Sequence, residues 1–187
     1  MQIEQFLAQY GLWALGAGAG LEGETATILG GMLVHRGLFS FIPAVLAASL
    51  GSFLADQFFF TLGRRFRDSA YVRKVSARPG FKRALLVFER HPVGFVFAFR
   101  FLYGLRTISP LAIGTTNLRG SRFAIINAAA ALLWGVIFVT LGYFFGQAIE
   151  ALFGRVHLSF VVLAVLAALA LFVMARSIVR RMNARRR

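Results

Sequence analysis

The sequence predicts an all-α polytopic membrane protein: two re-entrant helical hairpins and about three full transmembrane helices in an inverted repeat. Three observations carry this. Hydrophobic residues make up 58% of the 187, with a mean hydropathy of +0.71. Several apolar stretches reach the roughly 20 residues a helix needs to cross a bilayer core, and they are apolar all round, unlike the alternating strands of a membrane barrel. Two further apolar regions are broken in the middle by glycine, proline and charge.

Taken in order, residues 5–40 form the first expected hairpin, broken at GAGLEGE, and residues 41–63 the first full span. Pro43 sits in the first turn of that span, where a missing N–H costs little. Residues 64–90 are basic and loosely amphipathic, split by Pro79-Gly80 into two short pieces suited to lie on a membrane surface. Residues 91–120 form the second hairpin, broken at YGLRTISP, followed by spans at 121–147 and 157–178 and a basic tail at 179–187. A short turn is expected from Glu150 to His157. Each hairpin arm is about 10–15 residues, too short to cross alone, and an irregular tip inside a membrane must be covered by protein or line a wet cavity. The alternative is one long kinked span for each broken region.

The net charge of +14 raises the question of nucleic acid, and its distribution answers it. Nine of the 21 Lys and Arg residues lie between Arg64 and Arg90, and six more between Arg176 and Arg187. Both clusters abut apolar spans, as the positive-inside bias requires. They place the 64–90 segment and the C-terminus in the cytoplasm, near anionic headgroups, and exclude nucleic acid as a partner. With no cysteine, disulfides and thiolate sites are excluded. The three histidines have no metal-ligand spacing, so neither a metal nor a cofactor is expected. A cleaved signal peptide is not expected, because the first basic residue is Arg36.

A repeat links the two halves. Gly31 to Gly37 (GMLVHRG) matches Gly114 to Gly120 (GTTNLRG) at an offset of 83, and Thr61-Leu62-Gly63 matches Thr140-Leu141-Gly142 at 79. One crossing separates the hairpins, so the copies are expected to be inverted. By the first offset Arg106 falls between Glu22 and Glu24.

Five charges lie inside the apolar segments: Glu22, Glu24, Asp56, Arg100 and Arg106. Each costs about 2.5–3.5 kcal/mol or more in hydrocarbon, so such residues pair or line a wet cavity. Asp56 shares a helix face with Ser49, Ser52 and Gly63. Asn127, Ala131, Gly135, Gly142 and Gly146 form a similar small and polar stripe, suited to close helix packing. Guanidiniums stay charged and present a planar fork to phosphate oxygens, which marks Arg100 and Arg106 as holders of an anionic headgroup. Carboxylates in apolar surroundings move towards neutrality, which marks Glu22, Glu24 and Asp56 as proton or ion couplers. At least one glutamate is expected to take up a proton when the headgroup leaves Arg106. The competing explanation is a set of internal salt bridges that fixes the fold.

These residues also carry a family resemblance. Residues 99–135, FRFLYGLRTISPLAIGTTNLRGSRFAIINAAAALLWG, resemble the second half of the DedA family (SNARE-associated or VTT-domain membrane proteins) through Arg100, Arg106, Pro110, Gly114, Phe123, Asn127 and Trp134. ETATILGG and ADQFFFTLGRRF match its first half, the latter through Asp56, Gly63 and Arg64. Ala55 and Phe60 replace the usual Gly and Tyr, the proline between Arg100 and Arg106 is missing, and the first acidic motif is compressed to LEGE. The resemblance implies paired re-entrant hairpins and translocation of lipids across the bacterial cytoplasmic membrane, with undecaprenyl phosphate or another anionic phospholipid as substrate and a link to the proton-motive force. Arg64, Pro110 and Asn127 take supporting roles. Membrane lipids are the expected partners, and a homodimer is allowed. The alternative functions are a proton-coupled transporter of a small soluble ion or solute, a membrane lipid phosphatase, and a non-catalytic scaffold.

Overall fold

A computed structural model describes residues 2–69, 72, 79–101, 106 and 108–153. The expected span at 157–178 and the tail at 179–187 lie outside the described residues. The chain divides into units at residues 1–147 and 148–187; everything below concerns the first, apart from the end of its last helix. Among the described residues all regular structure is helical. The helices are α1 (Gln2–Leu21), α2 (Glu24–His35), α3 (Phe41–Arg65), α4 (Pro79–Arg90), α5 (Pro92–Phe99), α6 (Ile108–Gly114) and α7 (Gly120–Phe153).

Two of these, α3 and α7, are long and apolar enough to cross a membrane. Along α3, Ile42, Leu46, Leu50, Leu54 and Phe58 recur every four residues and are all exposed. Ala44, Ala48, Ser52, Asp56 and Phe60 repeat at the same interval on the buried side. That helix therefore turns its apolar stripe outward and its small and polar stripe inward, the reverse of a water-soluble amphipathic helix.

The first broken region is a pair of helices folded back on each other. Leu15 lies against Gly30 and Gly18 against Ala26, so α1 and α2 run in opposite directions from the turn at Glu22-Gly23. The first arm is longer than expected: α1 starts at Gln2 and has 20 residues, because nothing in QIEQFLAQ interrupts a helix. Gly37, at φ 76°, ends α2. Its N–H donates to the Val34 carbonyl and that of Leu38 to the Leu33 carbonyl, a Schellman cap that needs the left-handed conformation. In the second broken region, α5 and α6 flank residues 100–107. Proline opens α4 at Pro79; the piece expected before it, over 70–78, lies outside the described residues apart from residue 72. One boundary differs from expectation. Glu150 to Phe153 continue α7 rather than turning, since EALF holds no breaker and favours helix.

Two hydrophobic clusters form the interior. One gathers Leu15, Val34, Phe39, Val45, Ala48, Trp134 and Val139; the other gathers Phe60, Phe88, Val96, Phe99, Ile113 and Phe123. In the second, the Phe60 and Phe123 rings stack at 4.4 Å.

Glycines bring helices into backbone contact at two seams. Gly31 of α2 lies on Val139, Gly142 and Tyr143 of α7, and Gly142 in turn lies on the Ile28 carbonyl. Gly114 of α6 lies on Phe60 and Arg64 of α3, and Gly63 in turn lies on the Leu111 carbonyl. The seams correspond residue by residue through the same offsets seen in the sequence: 83 takes Ile28 and Gly31 to Leu111 and Gly114, and 79 takes Phe60, Gly63 and Arg64 to Val139, Gly142 and Tyr143. A Cβ at residue 31 would stand 2.8 Å from the Gly142 Cα and the Tyr143 nitrogen, both backbone atoms with no room to yield. Gly31→Ala is therefore expected to lower stability by about 1–3 kcal/mol, read as an earlier thermal transition in detergent. An unchanged transition would mean that the seam is loose.

Candidate functional site

Ser52 marks the centre of the site. It lies near the middle of α3, about 17 Å by helical rise from the Phe41 end and about 20 Å from the Arg65 end. Around it the structure gathers four of the five charged residues singled out above.

Arg100 follows immediately after α5 and is completely buried. Its Nη1 donates to the Ser52 hydroxyl at 2.6 Å. Its Nη2 donates to Asp56 Oδ2 and to Asn127 Oδ1, the latter at 2.6 Å. Asp56 (2% exposed) and Asn127 (0%) are equally enclosed, so α3, α7 and the end of α5 are locked by one guanidinium. Charge, fork geometry and hydrogen bonding all favour this arrangement, and the low-dielectric setting makes it costly to break.

Arg106 is placed differently. Its Nη2 donates to the Ala19 carbonyl at 2.7 Å and to the Ser52 hydroxyl at 3.0 Å. The guanidinium lies 4.6 Å above the ring of buried Trp134, a cation–π contact that fixes its plane. The Nη1 group faces Glu24 Oε1 at 4.0 Å, a loose pair whose side chains are 15% and 33% exposed. One nitrogen is anchored and the other is only partly engaged. That second nitrogen also rests on Gly23, the residue before α2, which has φ 80° and ψ −109°. A Cβ there would overlap Nη1, so any side chain must displace the guanidinium.

Ser52 therefore receives one arginine on each lone pair and joins the two clusters. With Glu24 and Asp56 ionised, the two arginines are balanced; with Glu24 protonated, one positive charge is left over at Arg106. Glu22 is not brought in. It is exposed at the turn and makes no ion pair among the described residues.

The supporting residues take separate places. Arg64 donates to the carbonyls of Thr116 and Leu118, the former at 3.0 Å, and lies 4.8 Å over the Phe60 ring. It ties the end of α3 to the α6–α7 connection. Pro110 is buried in α6, remote from any hydrogen-bonding role. Three residues of the site were not singled out for it in the sequence: Gly23, Ser52 and Trp134. Ser52 stands one turn before Asp56, and Trp134 two turns after Asn127, so face periodicity held the signal for both. Among the described residues no cluster of His, Asp or Glu could hold a metal ion.

Membrane-crossing helices with an apolar exterior, closed over an interior cluster of arginines and carboxylates at mid-helix depth, define a polytopic α-helical membrane protein with a charged internal site. Comparison with known proteins places it more narrowly. The model of the VTT domain matches residues 21–144, which include every residue of the site except Ala19. The Escherichia coli K12 inner membrane protein YohD is 40% identical over 149 residues, covering 80% of this chain and 78% of the relative. The inner membrane proteins YghB and YqjA of the same strain are 32% and 28% identical, and the matches cover 58% and 59% of their lengths, under two thirds of each. The chain belongs to the VTT-domain, or DedA, family, and its relatives are inner membrane proteins. No solved structure matches it.

Proposed function

We propose that the protein translocates a lipid phosphate, undecaprenyl phosphate or another anionic phospholipid, across the cytoplasmic membrane in a proton-coupled cycle. The observation that carries this is Arg106: a guanidinium with one nitrogen anchored, a second facing a carboxylate, and partial exposure at a helix break near mid-membrane depth. Such a group can receive a phosphate oxygen without dismantling the fold. Arg100, whose two terminal nitrogens bond Asp56, Ser52 and Asn127, acts as a positioning residue that holds Ser52 and so Arg106.

This reading carries a sign for the coupling. Glu24 and a phosphate compete for the same face of Arg106, so a phosphate enters most readily when Glu24 is protonated. Proton and phosphate then bind together, and the carboxylate recovers Arg106 when both have left. This reverses the expectation that a glutamate takes up its proton as the headgroup departs; the reason is that the pair is a competitor and not a bystander. Glu22, exposed at the turn, is freed from the coupling role. Asp56, locked against Arg100, serves structure.

Support for re-entrant hairpins comes from the position of the Glu22-Gly23 turn, which meets α3 halfway along a crossing helix. Support for an inverted repeat comes from the matched glycine seams. Broken helices meeting at a charged midplane site are the arrangement secondary transporters use.

Purified protein in liposomes tests the reading. It should move a fluorescent lipid phosphate faster than empty liposomes do, and acidification of the loading side should speed that flux. Arg106→Lys, which keeps the charge but loses the planar fork, should slow it at least about tenfold. Glu24→Gln should remove the pH dependence, and Glu22→Gln should retain it. Flux of a small soluble anion in place of the lipid would establish the alternative, a proton-coupled solute transporter. Wild-type flux in Arg106→Lys would overturn the site.

A further inference from the structure

On the outward side of the α1–α3 pair lies an apolar groove of about 780 Å³, within the roughly 300–1,000 Å³ of small-molecule sites. Its floor is built from small residues where the helices approach most closely. Gly20 lies against the Gly51 carbonyl, with a Cβ there reaching it at 3.0 Å, and Gly16 lies against the Ala47 carbonyl at 3.2 Å by the same measure. Its walls are large and exposed: Trp13 at 79% and Leu21 at 90% on α1, with Leu50, Leu54 and Phe58 on α3. Side chains this apolar and this open, on a helix long enough to cross a bilayer, face hydrocarbon.

The geometry points to this groove as the binding site for the hydrocarbon chain of the transported lipid, a single polyprenyl or acyl chain whose phosphate is held at Arg106. This rests on the lipid-phosphate reading above and goes on to assign the other end of the substrate. Three features point to that occupant. First, the groove lies next to the charged site: Gly20 and Gly51 line it, and their next neighbours in sequence, Ala19 and Ser52, accept the hydrogen bonds of Arg106 across the seam. Second, it ends at Leu21, two residues before Gly23, on which the Arg106 guanidinium rests. A chain lying in it need only cross the Leu21–Gly23 turn to bring its head to Arg106. Third, its length fits. On α1 it runs from Leu12 to Leu21, about 14 Å by helical rise and close to one leaflet of a roughly 30 Å hydrocarbon core; on α3 it runs from Leu46 to Phe59, about 20 Å, and passes the level of Ser52 on both sides. Its α1 wall therefore carries a chain from mid-membrane, where the head sits, outward along one leaflet. Its polar counterpart lies on the opposite side of the α1–α3 seam, so head and tail would be kept on different faces of the same helix pair.

Photo-crosslinking of the full chain in nanodiscs tests the assignment. The probe is a polyprenyl phosphate with a diazirine midway along its chain, present at low mole fraction in phosphatidylcholine. The control is phosphatidylcholine carrying the same diazirine. Adducts of the phosphate probe should concentrate between residues 12–21 and 46–59, and excess unlabelled polyprenyl phosphate should remove them. Equal labelling by the control would reduce the groove to ordinary lipid contact and overturn the inference. So would phosphate-probe adducts elsewhere on the protein. Crosslinks from Leu50→Cys to a second copy, or to residues 158–175 of the same chain, would show the groove filled by a helix and overturn it too. A second measurement uses Ala17→Phe, which narrows the groove at an exposed position. The ratio of flux for a long-chain to a short-chain lipid phosphate should fall about tenfold; an unchanged ratio counts against the groove. If wild-type protein moves lipid phosphate but labels elsewhere, the tail site fails alone. If it moves none, the function fails with it.

Discussion

Arg100→Leu is expected to destabilise the protein by about 3–5 kcal/mol, enough to unfold much of it in mild detergent. The substitution leaves Asp56, 2% exposed, as an unpaired carboxylate between α3 and α7, and removes the partner of the Asn127 side-chain oxygen. The double variant Arg100→Leu/Asp56→Leu should recover most of that stability, because both charges are gone and their volume is filled by apolar atoms. Its transport should stay low, since Ser52 has lost the group that orients it towards Arg106. Thermal unfolding in detergent and flux in liposomes read the two effects separately. Equal stability of the single and double variants would show that the pair is not what holds the helices, and normal transport by the double variant would deny Arg100 its positioning role.

Gly23→Ala should give the opposite pattern, a protein that folds and does not transport. The φ of 80° at this residue suits glycine and costs another residue about 1–3 kcal/mol. The larger effect is local. The added methyl takes the place of Arg106 Nη1 and drives the guanidinium off Trp134 and away from Glu24. Flux should fall at least about a hundredfold, as when a positioned charged donor is lost. Trp134 reports the displacement: in a Trp13→Phe background its fluorescence should change on Gly23→Ala and change likewise on Arg106→Lys. Wild-type flux in Gly23→Ala would mean that the seat of Arg106 on this glycine is incidental.

Much of this was legible in the residues. The apolar exterior of α3 and its inward polar stripe follow from a four-residue period, and the two broken regions from charge and glycine in otherwise apolar runs. Asp56, Arg100, Asn127 and Arg106 stood out because hydrocarbon tolerates them only in company. What the sequence left open was who pairs with whom. Two arginines and three carboxylates allow several assignments, and distance alone decides between them: Asp56 belongs to Arg100, Glu24 faces Arg106, and Glu22 belongs to neither. The role of Trp134, a residue the family resemblance names, was hidden for another reason. In a chain this rich in aromatics one more ring on a helix face reads as packing, and only the guanidinium stacked on it reveals its use. Gly23 looked like a turn residue, which it is; the space it leaves for Nη1 belongs to a residue 83 positions away. The extension of α7 through Phe153 was not legible as such, because a turn is expected from Glu150 where the residues around it continue the helix.

The two glycine seams have a mechanical meaning. Where helices meet through interlocking side chains, sliding one along the other requires knobs to climb out of holes, and the interface resists in steps. At Gly31 against Gly142, and at Gly114 and Gly63 against the opposing backbone, there are no knobs. At these points peptide backbone rests on peptide backbone. Each seam joins a helix beside one of the chain breaks, α2 or α6, to a crossing helix from the other half of the chain, α7 or α3. A shift of α2 along α7 carries Gly23 and Glu24 with it, while a shift of α6 along α3 pulls on the segment that carries Arg106. At these points the seams offer less resistance to sliding than interlocked side chains would. Arg64, bonded to the carbonyls of Thr116 and Leu118, holds the α6–α3 seam at its end, and the lock at Asp56 and Arg100 holds the frame between the two.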